Sequence, residues 1–110
     1  MLKKENRISK RKEVEEIKRG RSVYQSPVFG MLLMDKKDDR KKFLFVVSKK
    51  ISKRAVDRNR IRRLLSEAIK PSLERIKNGV RVGFLVRRKI MGMSLEEIKK
   101  EVEKVMGYLE

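Results

Sequence analysis

Lys53, Arg54, Arg58, Arg60, Arg62 and Arg63 place six cations within eleven residues, and Asn59 sits in the middle of them. Guanidinium forks match phosphate oxygens in geometry and stay charged at any physiological pH. The chemistry this group offers is anion binding, not bond cleavage. The chain has no histidine and no cysteine, which removes the commonest general base, the thiol nucleophiles and the soft metal ligands. Clustered carboxylates could still hold Mg²⁺. The only acidic cluster outside expected helices is Asp35, Asp38 and Asp39, which reads as a solvated turn among Lys and Arg neighbours. Asp57 and Glu67 are spaced to pair with Arg54 or Arg63. The six glycines are scattered singly and form no phosphate loop. No residue is assigned a catalytic role.

The cations ride on a helix that also carries an apolar stripe. Ile61, Leu64, Leu65, Ala68 and Ile69 recur at the spacing of one helical face. Asn59, Arg62, Arg63 and Ser66 fall opposite, Arg60 and Glu67 flank them, and Arg58 lies near the edge of the stripe. One side is built for burial, while the other holds guanidinium groups that repel one another unless an anion meets them. A solvated basic face is the plain alternative, but acidic partners on this face are few. Composition points the same way: 32 Lys and Arg against 15 Asp and Glu give +17 on 110 residues. Self-repulsion of that size is tolerated when a polyanion offsets it, and nucleic acid is the leading partner class. The apolar runs are too short for a bilayer span, and no signal peptide follows Met1, so no membrane partner and a cytoplasmic location are expected.

The elements that position the helix can be read from pattern. The chain reads as one RNA-binding domain over residues 1–110, with residues 1–7 flexible. A short helix is expected over Arg11 to Arg19, with Ser9 as N-cap, Gly20 as its stop, and Val14 and Ile17 facing inward. Pro27 opens a strand over Val28 to Met34, a polar turn follows, and Phe43 to Val47 forms a second strand, together an antiparallel hairpin. The basic helix starts between Lys53 and Val56; it either runs through Pro71 or gives way there to a second short helix. Val80 to Val86 is a third strand, with Val80, Val82, Phe84 and Val86 on one face. Ser94 and Glu97 form a capping box with Met93 and Ile98 as staple, ahead of a buried stripe of Ile98, Val102, Val105, Met106 and Leu109. The fold class is α+β: a small two-layer α-β sandwich in the order helix, hairpin, basic helix, strand, helix. Phe43, Phe45 and Phe84 read as core, whereas Tyr24 and Phe29 are open to either a core or a base-stacking role.

The run Val47-Ser48-Lys49-Lys50-Ile51, then Lys53-Arg54-Ala55-Val56, then Arg58-Asn59-Arg60-Ile61-Arg62-Arg63-Leu64-Leu65 resembles the bacterial ribonuclease P protein component. Weaker similarity extends through Arg7-Ile8, Gly20-Arg21-Ser22 and Arg87-Arg88-Lys89. The resemblance implies a subunit of an endoribonuclease whose RNA component is the catalyst and holds the catalytic Mg²⁺, with no cofactor intrinsic to the protein. The enzyme removes the 5′ leader of precursor tRNA to leave the mature 5′ end. It further implies contacts to the ribonuclease P RNA from Lys49, Lys50, Lys53, Arg54, Arg58, Asn59, Arg60, Arg62 and Arg63. The leader is expected in a cleft between the sheet and the first helix, where Val14 and Ile17 stand in place of the family's aromatics and Tyr24 and Phe29 are further candidates. A left-handed strand-helix-strand crossover around the basic helix is implied by the resemblance alone, since general rules favour the right-handed form.

Two other classes fit part of the pattern. A non-catalytic structural RNA-binding protein of the ribosome-associated type shares the charge and the helix, and only the Arg-Asn-Arg motif separates it. A DNA binder reading bases with Asn59, Arg62 and Arg63 lacks a paired helix-turn-helix or a dimerising heptad, so no DNA partner is expected.

Overall fold

The computed structural model describes residues 2–110. Four strands, β1 (Arg21–Gln25), β2 (Phe29–Asp35), β3 (Lys42–Val46) and β4 (Val80–Val86), form one sheet in the order β1-β2-β4-β3. Helices α1 (Arg11–Lys18), α2 (Ala55–Ile69) and α3 (Leu95–Glu103) complete the α+β architecture. β1 and β2, like β2 and β4, are antiparallel, whereas β3 and β4 are parallel and joined through α2.

β4 takes the middle because its sequence, VRVGFLV, buries side chains on both faces. Val80, Val82, Phe84 and Val86 point to one side, and Phe84 meets Phe29 edge-on at 5.0 Å and stacks on Phe45 at 5.6 Å. Over these rings lie Ile61, Leu65, Ala68 and Ile69 of α2, then Ile98 and Val102 of α3, all buried in one core. Burying one such side chain contributes roughly 1.5–3 kcal/mol, so this layer holds the domain together. The capping box forms as expected: the Glu97 N–H donates to Ser94 Oγ at 3.2 Å, and the Ser94 N–H donates to Glu97 Oε1 at 3.0 Å. α3 stops at Glu103, and Val105, Met106 and Leu109 continue the buried stripe on a 3₁₀ turn.

The hairpin is not where the apolar runs suggested. β2 and β3 do not touch as neighbours; β4 lies between them, and β2 instead pairs with β1, a strand the sequence reading passed over. Arg21–Gln25 reads RSVYQ, a polar edge strand broken by a bulge between Ser22 and Tyr24. Its turn is built around Ser26, whose Oγ accepts the N–H groups of Val28 and Phe29 at 3.1 and 3.2 Å. Proximity in sequence favoured pairing β2 with β3, but an interior place for the doubly buried β4 outweighed it.

The reverse face of the sheet carries α1. A methyl group on Gly83 would lie 3.2 Å from Ile17 Cγ1, so the absent side chain is what lets α1 approach β4. Lys42 donates to Glu13 Oε2 at 2.8 Å and fixes α1 against β3. Helices therefore lie on both sides of the sheet, α2 and α3 on one and α1 on the other. Lys10, not Ser9, occupies the N-cap of α1 and makes no capping bond through its side chain. α2 ends at Ile69, and Pro71 opens a 3₁₀ segment, Lys70–Arg75, in agreement with the second of the two expected continuations.

The N-terminal segment, expected to be loose, is laid along the sheet edge. Leu2 is buried, Lys4–Asn6 make a 3₁₀ turn, and Arg7 bridges Phe43 with the Ile8 N–H donating to the Phe43 carbonyl at 2.9 Å. Met1, part of the same expectation, lies outside the described residues.

Candidate nucleic-acid interface

The first turn of α2 is shaped by a local latch. Ser52 Oγ donates to Asp57 Oδ2 at 2.9 Å and accepts the Arg54 N–H at 3.2 Å. Arg58 folds back, its Nη1 donating to the carbonyls of Ser52 and Lys53, both at 2.9 Å. Asp57 near the helix N-terminus also suits the dipole. Arg58 therefore fixes the loop that carries Lys49, Lys50, Lys53 and Arg54, with only part of its fork left to an outside partner. The Arg54–Asp57 pair, at 4.0 Å with Arg54 largely exposed, contributes little.

Further along α2 the guanidinium groups stand free of acids. Arg60 and Arg63 are exposed, and Arg62 is half-buried, its Nη1 donating to Asn59 Oδ1 at 3.0 Å. Among the described residues no carboxylate pairs with any of these three arginines. Val56, 60% exposed, lines a shallow concavity of about 560 Å³ with Asn59, Arg60, Arg62 and Arg63. An apolar side chain left in water beside three arginines is a feature the sequence reading missed, although its position off the apolar stripe was visible. Ser66 departs from its expected place on this helix. Expected opposite the stripe, it is buried and donates to the Arg62 carbonyl at 2.9 Å, because a small hydroxyl can satisfy itself on the preceding turn.

A second basic cluster forms where β3 and β4 end side by side. Arg88 Nη2 donates to the Lys50 carbonyl at 2.9 Å, tying the exit of β4 to the exposed Lys49–Lys50 turn. Arg87 is hydrogen-bonded to Gln25 Oε1. Lys49, Lys50, Lys53 and Arg54 thus share one end of the sheet with Arg87 and Arg88.

The four leader-cleft candidates do not come together. Val14, half-buried, and Ile17, buried, lie on α1 over the reverse face. Phe29 is fully buried on the opposite face, and Tyr24 pairs across from Met31 on that same side, 5.9 Å from Phe29 and 6.5 Å from Tyr108. The alternation of a strand sends Phe29 and Tyr24 away from α1. What borders α1 instead is half-buried and aliphatic: Leu32 of β2, Leu44 and Val46 of β3, and Leu85 of β4.

The acidic turn is structural. Asp38 grips the buried Arg81 with two bonds, 2.6 Å to Nη2 and 3.2 Å to Nη1, and this fork lowers its carboxyl to about 2. Asp35 is also lowered, first by Lys77 and then by the Lys37 N–H. Among the described residues no group of three acidic side chains is placed to hold a metal ion, and no helix is long and apolar enough to cross a membrane.

The family model for ribonuclease P matches residues 2–110. The ribonuclease P protein component of Dehalococcoides mccartyi is 28% identical over 106 residues, covering 96% of this chain and 86% of the relative. That of Pelotomaculum thermopropionicum is 33% identical over 89 residues, covering 81% of this chain and 78% of its own length. The structure of the Staphylococcus aureus RNase P protein superposes with a TM-score of 0.80 at 28% identity, covering 94% of each chain. With an acid-free arginine face on α2 and a family match running from residue 2 to the last, the chain belongs to the ribonuclease P family, as the bacterial-type protein component of the endoribonuclease that processes the 5′ ends of tRNAs.

Proposed function

We propose that the chain acts as one RNA-binding domain in the cytoplasm, presenting α2 to the catalytic RNA and its reverse face to the 5′ leader of precursor tRNA. The observation that carries this reading is the set Arg60, Arg62 and Arg63, without a carboxylate partner among the described residues. Lys49, Lys50, Lys53 and Arg54 extend the same positive surface, Arg58 holds their loop, and Asn59 orients Arg62. The protein supplies charge compensation. Two polyanions brought together repel each other, and a basic domain between them lowers the Mg²⁺ concentration at which the RNA works. The Mg²⁺ is held mainly by the RNA, since among the described residues no group of three acidic side chains is placed to ligate one. The aliphatic strip of Leu32, Leu44, Val46 and Leu85 beside α1 suits a single strand lying flat, its phosphates near the basic sheet end.

The test is reconstitution with a bacterial ribonuclease P RNA and a precursor tRNA. The protein alone should cleave nothing, while its addition should restore cleavage by the RNA at low Mg²⁺. Cleavage by the purified protein without RNA would overturn the division of labour.

A further inference from the structure

A second, more enclosed cleft of about 360 Å³ opens between the N-terminal segment, the outer edge of β3 and α2. Its rim carries Lys4, Arg7 and Arg62, and its walls include Ile8, Phe43 and Phe45. No acidic side chain lines it, and none of the three cations is ion-paired among the described residues. The volume lies at the small end of ligand pockets, about 300–1,000 Å³, too narrow for a duplex.

The backbone at its mouth is open as well. The Phe43 carbonyl accepts the Ile8 N–H, so the peptide groups of Phe43 point away from β4. Two residues on, those of Phe45 point the same way. After Ile8 the chain turns off towards α1, which starts at Arg11. The N–H and C=O of Phe45 are therefore left at the edge without a backbone partner among the described residues. One adjacent donor and acceptor is the pair that meets the edge of a nucleobase, as an edge strand meets another strand.

We propose that this cleft takes one unpaired nucleotide of the catalytic RNA. The base enters beside Phe45 and is met at its edge by the Phe45 peptide groups, while its phosphates lie on Arg7, Lys4 and Arg62. Charge selects RNA over a peptide strand, since three cations with no acid favour a polyanion. Position selects the catalytic RNA over the leader, because Arg62 is shared between this cleft and the arginine face of α2, whereas the leader surface lies beyond α1. The inference rests on the reading that α2 faces the catalytic RNA.

The experiment uses the reconstituted holoenzyme with 4-thiouridine placed either in the RNA subunit or in the precursor leader. Irradiation and peptide mapping should give an adduct at Phe45 with the labelled subunit and none there with the labelled leader. In parallel, Arg7→Ala, an exposed change, should weaken RNA-subunit binding and lower its salt slope by about 0.7–0.9. Phe45→Leu, which keeps an apolar wall, should weaken it about tenfold through lost stacking. An adduct at Phe45 from the leader alone, or no adduct there together with wild-type affinity for both variants, would overturn the assignment. If wild-type protein activates the RNA while these signals are absent, only the nucleotide site is lost. If wild-type protein fails to activate it, the functional reading itself has failed.

Discussion

The two faces of the sheet are closed to different degrees. On the α2–α3 side, Phe29, Phe43 and Phe84 are fully enclosed and continue into one core with Leu65, Ile69 and Ile98. On the α1 side, among the described residues, Ile8, Ile17 and Arg81 are buried, and the aliphatic Leu32, Leu44, Val46 and Leu85 are only half covered. The first face holds the fold. The second is left open because a single eight-residue helix cannot cover four strands, and an open apolar strip flanked by cations is what a single strand of RNA can use. The closed face thus carries the stability, while the open one is the face proposed for the leader, with β4 common to both.

Breaking the closed face should have the largest effect. Phe84→Ala removes the ring that contacts both Phe29 and Phe45, and denaturant unfolding should show a loss of about 3–5 kcal/mol. A loss under about 1 kcal/mol would mean the two faces share the load equally. Ile17→Ala should cost less than Phe84→Ala, within the usual range of about 2–5 kcal/mol for such truncations. Hydrogen exchange should then rise in α1 while β4 and α2 stay protected. Loss of protection throughout would merge the two faces into one cooperative layer.

Arg60→Ala touches neither face. Its unfolding midpoint should stay within about 0.5 kcal/mol of wild type, while the salt slope of RNA-subunit binding falls by about 0.7–0.9. An unchanged slope would remove Arg60 from the phosphates. The smallest effect belongs to the acidic turn. Asp38 has its carboxyl lowered from the usual 3.8 to about 2 by Arg81. A depressed folded value means its contribution is complete above 3.8 and fades as pH falls towards 2. Thermal melts of Asp38→Asn should accordingly decline less steeply than wild type in that window, and parallel curves would show that the fork does not stabilise the fold.

α2 was legible because its information is local: a stripe at helical spacing, a dense cation cluster and too few acids. α3 was legible through Ser94 and Glu97, whose side chains close on backbone three residues away. For Arg58 the resemblance implies an RNA contact, whereas the structure ties its guanidinium to the carbonyls of Ser52 and Lys53. A side chain's choice between solvent and a nearby loop depends on the loop's path, which composition does not encode. Tyr24 and Phe29 were undecided for a similar reason. Which face an aromatic takes depends on strand register, and the bulge in β1 shifts register by one residue.

By itself the sequence determined the charge, the helical stripes, the capping box and the family, since each needs only residue type and spacing along the chain. Tertiary structure decided the strand order, the separation of Val14 and Ile17 from Phe29, the anchoring of the N-terminal segment on β3 and the cleft above it. Those features join residues far apart in the chain. Their partners are selected by the packing of a finite core, in which the doubly buried β4 takes the centre and every other element is placed relative to it.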